Sequence, residues 1–310
     1  MAALGRQNLA VLGTLVVVCV ITAAINPVFI QPTNLINVIR QIAILGIIAS
    51  GQAMLMISGG IDLSVGALVS LAGVIVGKTM VSGYGEGTAI LVGIGVGVVV
   101  GLVNGTIIAK TKVQPFIATL GVMSILQGLA LVVTNGRQIP NLGGKIFEPI
   151  GGGMIGFVPV PVIILLVVVL LSHFVLSRTK YGRSLYAMGG NEETAYLSGI
   201  NVTLLKVVAY TVTGMLTGLA AVVLTSRIGA ALPVMGTGYE LQSIAAVVIG
   251  GVSLSGGRGG MLGAFLGVLL LGVISNALNL LNVSSHFQNI AVGLVILVAV
   301  IANQYMVRRG

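Results

Sequence analysis

The stretch TAILVGIGVGVVVGLVNGTIIA, residues 88–109, has no charged side chain and is long enough to cross a membrane as a helix. About 20 apolar residues span the roughly 30 Å of hydrocarbon in a bilayer, because each helical residue rises about 1.5 Å. Gly93, Gly97, Gly101 and Gly105 recur at every fourth position. They share one helix face, and small residues let membrane helices approach closely. We therefore expect this face to pack tightly against another helix.

The rest of the chain has the same character. Of its 310 residues, 56% are hydrophobic and only 7% are charged, whereas soluble proteins carry about 25% charged residues. The sequence thus predicts an all-α polytopic membrane protein, surrounded by lipid, that forms one domain over residues 1–310. The first span is interpreted as a retained helix, because its apolar run is longer than that of a signal peptide. About ten spans are expected, at 9–29, 40–58, 61–81, 88–109, 115–134, 158–177, 206–227, 241–255, 260–281 and 286–306.

The basic residues between these spans predict the orientation, since cytoplasmic loops carry an excess of Lys and Arg. An N-terminus inside places ten basic residues on the cytoplasmic side and five on the outer side. The inner group is Arg6, Lys110, Lys112, Arg178, Lys180, Arg183, Lys206, Arg258, Arg308 and Arg309, and the outer group is Arg40, Lys78, Arg137, Lys145 and Arg227. Both termini are therefore expected in the cytoplasm, and an even number of spans agrees with this because it places them on the same side.

Catalysis and nucleic-acid binding are disfavoured. The two histidines, His173 and His286, lie in or beside apolar spans and belong to no triad or metal-ligand spacing. Gly77-Lys78-Thr79 is not a phosphate-binding loop, because Ala72 stands where that motif needs glycine. We expect no enzyme activity, no metal and no cofactor on this chain. The net charge of +9 is accounted for by topology, and no basic stripe with interleaved aromatic residues indicates nucleic acid.

Asp62 is the only aspartate, and it stands between two apolar runs beside Ser58 and Ser64. A carboxylate inside a membrane is costly and by default indicates function. Asp62 could equally cap the start of the third helix. Residues 59–66 also resemble residues 250–257, and such repeats with broken helices occur near transporter sites. The short connection from Ser58 to Gly60 predicts a broken or re-entrant helix.

Polar residues inside other spans are candidates for a translocation pathway. Asn104 and Asn276 lie in otherwise apolar segments, where their amides could hydrogen-bond between helices or line a polar path. Gln288 adds to this polar theme near the last span. The predicted pathway residues are Asp62, Ser64, Asn104, Phe116, Asn276 and Gln288.

The inner loop, about residues 178–205, carries much of the chain's charge. Asn191 precedes two glutamates and a short apolar face that ends at Gly199, which predicts an N-capped helix. A cytoplasmic helix with charged and apolar faces suits docking on another protein. The alternative is a helix that lies on the membrane surface, although its acidic start argues against anionic lipid.

Several motifs in this order resemble the permeases of the ribose-type class of ABC importers, from about Pro27 to the C-terminus. These motifs are residues 58–66, the stretch Gly236-Thr237-Gly238-Tyr239-Glu240-Leu241, residues 244–251, and the inner loop from Gly189 to Asn201. Glu193 and Thr194 depart from the small residues expected beside Glu192.

The resemblance implies a type II ABC importer-like permease of the bacterial inner membrane, with about ten helices. It implies a second copy or a homologous permease, a periplasmic sugar-binding protein, and a cytoplasmic ATPase that binds the ATP and Mg. The cargo it implies is a monosaccharide, D-ribose first. Other sugars, nucleosides and branched-chain amino acids remain open, as does an ion-coupled secondary transporter. The coupling residues it implies are Arg183, Gly190, Asn191, Glu192 and Gly199.

Overall fold

The computed structural model describes residues 2–111 and 113–284, together with 287, 290, 293 and 294. Over this part the chain is a helical bundle with one small hairpin. The helices are α1 (Ala2–Ile25), α2 (Pro32–Ile57), α3 (Val65–Val81), α4 (Glu86–Thr111), α5 (Pro115–Thr134), α6 (Phe147–Gly152), α7 (Val160–Arg178), α8 (Lys180–Gly190), α9 (Glu192–Leu197), α10 (Val202–Ile228), α11 (Tyr239–Ile249) and α12 (Met261–Leu280). A 3-10 helix, Pro27–Ile30, precedes α2, and antiparallel strands β1 (Met154–Ile155) and β2 (Val158–Pro159) precede α7.

Each predicted span up to residue 281 falls on a helix. Among the described residues, seven helices are long and apolar enough to cross a membrane, and α3 and α11 are shorter apolar helices. Large apolar side chains cover the exposed faces of α1, α5 and α7, as a lipid-facing surface requires. Most of the tenth predicted span, 286–306, lies outside the described residues.

Several predicted boundaries were wrong by four residues or more. The first helix covers Ala2–Ile25 rather than 9–29, and the seventh predicted span begins at Val202 rather than 206. The second helix begins at Pro32 rather than 40, because proline suits the first helical turn. The third begins at Val65 rather than 61, because α2 first ends in a turn through Gly59, whose φ is 86°. The eighth ends at Ile249 rather than 255, because Gly251 makes the same kind of turn with φ 88°. Backbone N–H groups close both turns onto carbonyls of the preceding helix.

The core of the bundle is α2. Residues 42–57 of this helix are all buried, which is typical of a helix surrounded by others. It packs against α7, α10, α11 and α12.

The glycine face of α4 packs on α10, which confirms the expected tight helix contact. Gly97 lies against the backbone of Gly214, and a Cβ atom at Gly97 would collide with the carbonyl oxygen of Gly214. Gly101 lies equally close to the backbone of Tyr210 and Thr211. The two helix backbones therefore touch over several turns.

We call the end of the bundle that carries α8 and α9 the coupling end, and the end that carries residues 135–159 the distal end. At the distal end the carboxylate of Glu86 accepts hydrogen bonds from the backbone N–H groups of Lys145, Ile146 and Phe147, at 3.2, 2.7 and 2.6 Å. These bonds hold the long distal connection on the start of α4.

Candidate functional site

The non-helical link between α2 and α3 contains a buried polar cluster. Asp62 is only 1% exposed. Its Oδ1 accepts hydrogen bonds from the backbone N–H of Ser64 at 2.8 Å and from the Ser64 hydroxyl at 2.6 Å. The amide of Asn104 donates to Asp62 Oδ2 at 3.3 Å and to Ser64 Oγ at 2.9 Å. The structure thus brings three of the predicted pathway residues together.

Two other helices hold this link in place. The Tyr210 hydroxyl of α10 donates to the carbonyl of Ile61 at 3.1 Å. The backbone N–H of Leu63 donates to Thr119 Oγ1 of α5 at 3.2 Å. Non-helical backbone at membrane depth is tolerated only where protein surrounds it in this way. Asp62 itself forms no ion pair with a described residue, so neutral donors alone stabilise its carboxylate.

The start of α3 meets the start of α11 inside the bundle. After α10 the chain returns along α3, with Met235 beside Gly73 and Gly236 beside Gly66. The backbone N–H of Gly236 donates to Ser70 Oγ at 2.9 Å. Two half-helices whose N-termini meet in the interior are typical of transporter sites. The link before α11 begins at the distal end, and the loop after α11 contacts the coupling end, so the link and α11 together cross the bundle.

Glu240 is the residue of this meeting point that sequence reasoning did not select as a site. Its carboxylate accepts from the backbone N–H of Gly238 at 3.1 Å and lies against Gly66 of α3. An acid next to an apolar run was the available signal, the same one that marked Asp62. Each half-helix therefore has a carboxylate beside its first turn, where the helix dipole favours negative charge.

The remaining predicted pathway residues lie apart from this cluster. Phe116 is 53% exposed at the start of α5. Asn276 exchanges two hydrogen bonds with Asn34 of α2, at 3.1 and 2.9 Å, which is the interhelical alternative. Gln288 lies outside the described residues. Pathway roles for these residues stay predictions.

Two exposed polar side chains lie among the exposed apolar residues in the middle of α5, and sequence reasoning did not select them either. Ser124 and Gln127 are exposed in the middle of this span, flanked by Gly121 and Gly128. An amide that faces hydrocarbon costs several kilocalories per mole, about 4–8 for transfer to an alkane. The side of α5 that carries these two residues is therefore better suited to contact protein or water than lipid.

The coupling end is built from two capped helices. The Thr179 hydroxyl accepts from the backbone N–H of Gly182 at 3.1 Å and caps α8. The Asn191 side chain accepts from the N–H of Thr194 at 2.8 Å and caps α9, as predicted. Gly199 follows α9 with φ 84°. Glu192 pairs with Lys206 at 2.7 Å.

The outward side of α8, α9 and the start of α10 carries both charged and apolar side chains. Arg183, Gly190 and Glu193 are exposed there. So are Leu204 and the large side chains at the end of α9, of which Leu197 is 78% exposed. We call Glu193, Tyr196, Leu197 and Leu204 the docking patch. Burial raises the pKa of Tyr181 and of Tyr186 on the inward side of α8, so both phenols stay neutral there.

Helix α8 contacts both the end of α2 and the loop that follows α11. Gly189 lies against the carbonyl of Ile57, the last residue of α2, and leaves no room for a Cβ atom. The N–H of Gly257 donates to the same carbonyl at 2.9 Å. The Tyr186 hydroxyl donates to the carbonyl of Gly259 at 2.9 Å. A shift of α8 would therefore reach both the link at Asp62 and the loop after α11.

A bundle of membrane-length helices with a buried polar break in its interior is typical of a membrane-spanning transport subunit. The chain belongs to the family described as "Branched-chain amino acid transport system / permease component", which it matches over residues 34–300.

Its relatives are transport permeases rather than enzymes. The chain is 44% identical over 291 residues to the ribose import permease of Bacillus subtilis, covering 94% of this chain and 90% of that protein. It is 42% identical to the ribose import permease of Haemophilus influenzae, covering 94% and 91%. The corresponding protein of Escherichia coli K12 is 41% identical, with 93% and 91% covered. No solved structure matches the chain.

Proposed function

We propose that the chain is the membrane-spanning permease of an ATP-driven importer that carries a monosaccharide, D-ribose first, across the bacterial inner membrane. The similarity to three ribose import permeases along nearly the whole chain supports this cargo. The contact of α8 with the broken interior is the observation that carries the mechanism. The chain itself performs no chemistry in this account.

The partner at the coupling end is a separate ATPase, which binds the ATP and Mg. Its contact would centre on the docking patch, because exposed Tyr196 and Leu197 gain most from leaving water. Glu192, held by Lys206, would orient α9 rather than dock by itself. Arg183, Gly190, Asn191 and Gly199 would complete the surface.

A second permease, identical or homologous, would face the side of α5 that carries Ser124 and Gln127 and enclose the path. Ser124 and Gln127 would line that path together with Phe116, Asn276 and Gln288. Asp62, Ser64 and Asn104 are buried, so they would face it only when α3 and α11 move apart. A sugar-binding protein would deliver cargo at the distal end.

In this proposal the chain would cross the membrane about ten times with both termini in the cytoplasm, as in type II ABC importers. Closure of the ATPase upon ATP binding would move α8 and α9. The contacts of Gly189 and Tyr186 would pass that movement to the two links, and access would alternate between the two sides.

Co-purification of the ATPase tests the docking assignment. The double variant Tyr196→Ser, Leu197→Ser should lose most of the ATPase and all ATP-driven ribose uptake, because it removes the apolar part of the docking patch. Phe157→Ser is the matched control for co-purification, since Phe157 is 96% exposed at the distal end. Full retention of the ATPase by the double variant would contradict the assignment.

Other cargo is the second candidate, since the family description names branched-chain amino acids. Competition of labelled ribose uptake by unlabelled D-allose, D-fructose or leucine separates these cargoes. Uptake driven by an ion gradient without ATP would point instead to a secondary transporter.

A further inference from the structure

A cavity of about 390 Å³ opens at the distal end, away from the Asp62 cluster and from the docking patch. It lies between the distal connection and the end of α10. Its polar lining includes Asn141, Glu148, Ser226 and Arg227. The transport account assigns no role to this cavity.

Arg227 contributes an unused positive charge to the cavity. It is half-buried as the penultimate residue of α10. Its guanidinium makes no hydrogen bond and no ion pair with any residue that the structure describes. A guanidinium keeps its charge and presents five N–H donors in a fixed plane. Such a group inside a lined cavity points to an acceptor that comes from outside the chain.

Arg40 brings a second guanidinium to the same place. Its Nη2 donates to the carbonyl of Gly152 at 2.6 Å, and Gly152 lines the cavity. Its Nε is buried and has no hydrogen-bond partner among the described residues. Gly151, the neighbour of Gly152, lies against the backbone of Arg227, so both arginines contact the same short segment of the distal connection. Glu148 lines the cavity but pairs with neither arginine within 4.0 Å.

Two positive charges beside one open cavity repel each other, and an anion bound between them would offset that repulsion. The arginines come from different helices and so offer donors from two directions, which suits the several oxygens of a phosphate group. We propose that Arg40 and Arg227 bind a phosphate group that enters this cavity from the distal side. The headgroup of an anionic phospholipid and free inorganic phosphate share this chemistry.

Binding to the full chain in detergent tests the proposal by two routes. Native mass spectrometry counts molecules of phosphatidylglycerol that stay bound, and thermal unfolding is followed in inorganic phosphate against chloride of equal ionic strength. Arg227→Gln should weaken binding by about tenfold or more, the effect of losing a charged hydrogen-bond donor. Arg227→Lys should recover part of it, because charge returns without the planar donors. Arg137→Gln, an exposed arginine of the same end, should bind as wild type does.

Each outcome decides the question. Binding of phosphatidylglycerol alone identifies a lipid headgroup, and stabilisation by phosphate alone identifies the free anion. Absence of both, or equal binding by Arg227→Gln, overturns the proposal. Arg40→Gln removes the bond to Gly152 as well, so Arg227→Gln carries the decision if the Arg40 variant does not fold. The outcome is independent of whether the chain transports ribose.

Discussion

At the scale of single residues, the carboxylate of Asp62 explains why the link between α2 and α3 has one defined shape. It accepts three hydrogen bonds from Ser64 and Asn104, and it forms no ion pair within the described part of the chain. The capping alternative drawn from the sequence was wrong, because Asp62 bonds the N–H of Ser64, which precedes α3, and no side chain caps that helix. A role of Asp62 in the pathway stays a prediction. Asp62 is buried, and it bonds the backbone just ahead of a helix.

Replacement of Asp62 tests this role. Asp62→Leu should lower the free energy of unfolding by about 1–3 kcal/mol, because buried donors of Ser64 and Asn104 lose their acceptor. Asp62→Asn keeps the shape and one acceptor oxygen, so its loss should be smaller. Thermal unfolding in detergent measures both. An Asp62→Leu protein that unfolds like wild type would show that the cluster is not needed for the link.

The sequence identified polar pathway residues such as Asp62 and Asn104, but not the residues with which they form hydrogen bonds. Asp62 and Asn104 were identified because a polar group in an apolar run is conspicuous. Their contact joins residues 42 positions apart, which depends on how α3 and α4 pack. The pairing of Asn276 with Asn34, 242 positions away, is of the same kind. One sequence carries no direct record of such distances.

At the scale of elements, α4 and α10 pack closely because glycines without side chains let the two backbones touch. Gly97→Ala should lower the free energy of unfolding by about 1–3 kcal/mol, the usual effect of forcing atoms into a filled contact. Gly95→Ala is the matched control on the same helix, where an added Cβ meets nothing within 4 Å. Because alanine favours helix over glycine, this control should be neutral or slightly stabilising.

Chemical denaturation of both variants in mixed micelles measures the difference. Equal stability of Gly97→Ala and Gly95→Ala would mean that the two backbones are not in contact.

Helix positions were easier to predict than helix breaks. The range 115–134 coincides with α5, because a single apolar run between polar ends defines it. The start of α3 and the end of α11 were misplaced, since apolar residues also occur in the links next to them. The turns at Gly59 and Gly251 set the boundaries there. Hydropathy does not register such a turn, although paired glycines do mark it.

The two stretches that resemble each other in sequence, 59–66 and 250–257, both form helix-ending turns. The residue with positive φ is the first glycine in one, Gly59, and the second in the other, Gly251. The structural correspondence is therefore shifted by one residue from the sequence correspondence.

At the scale of the whole molecule, the orientation of the bundle is open to a direct test. The one cysteine, Cys19, can be replaced by alanine and a new cysteine placed at Leu197 or at Phe157, both highly exposed at opposite ends. A thiol reagent that cannot cross membranes should label Phe157→Cys in intact cells and Leu197→Cys only after the cells are opened. The reverse pattern would contradict the expected orientation.

The central claim is that the coupling end transmits ATP hydrolysis to the broken interior. The measurement that tests it most directly is ATP hydrolysis and ribose uptake by the reconstituted complex, with and without ribose-loaded binding protein, for wild type and Gly189→Ala. Wild type should respond to the loaded binding protein with faster hydrolysis and with uptake. Gly189→Ala should keep its ATPase bound and hydrolyse ATP but lose most uptake, because a Cβ atom there would displace α8 from the carbonyl of Ile57. Undiminished uptake by Gly189→Ala, or no response of wild type to the loaded binding protein, would contradict the account.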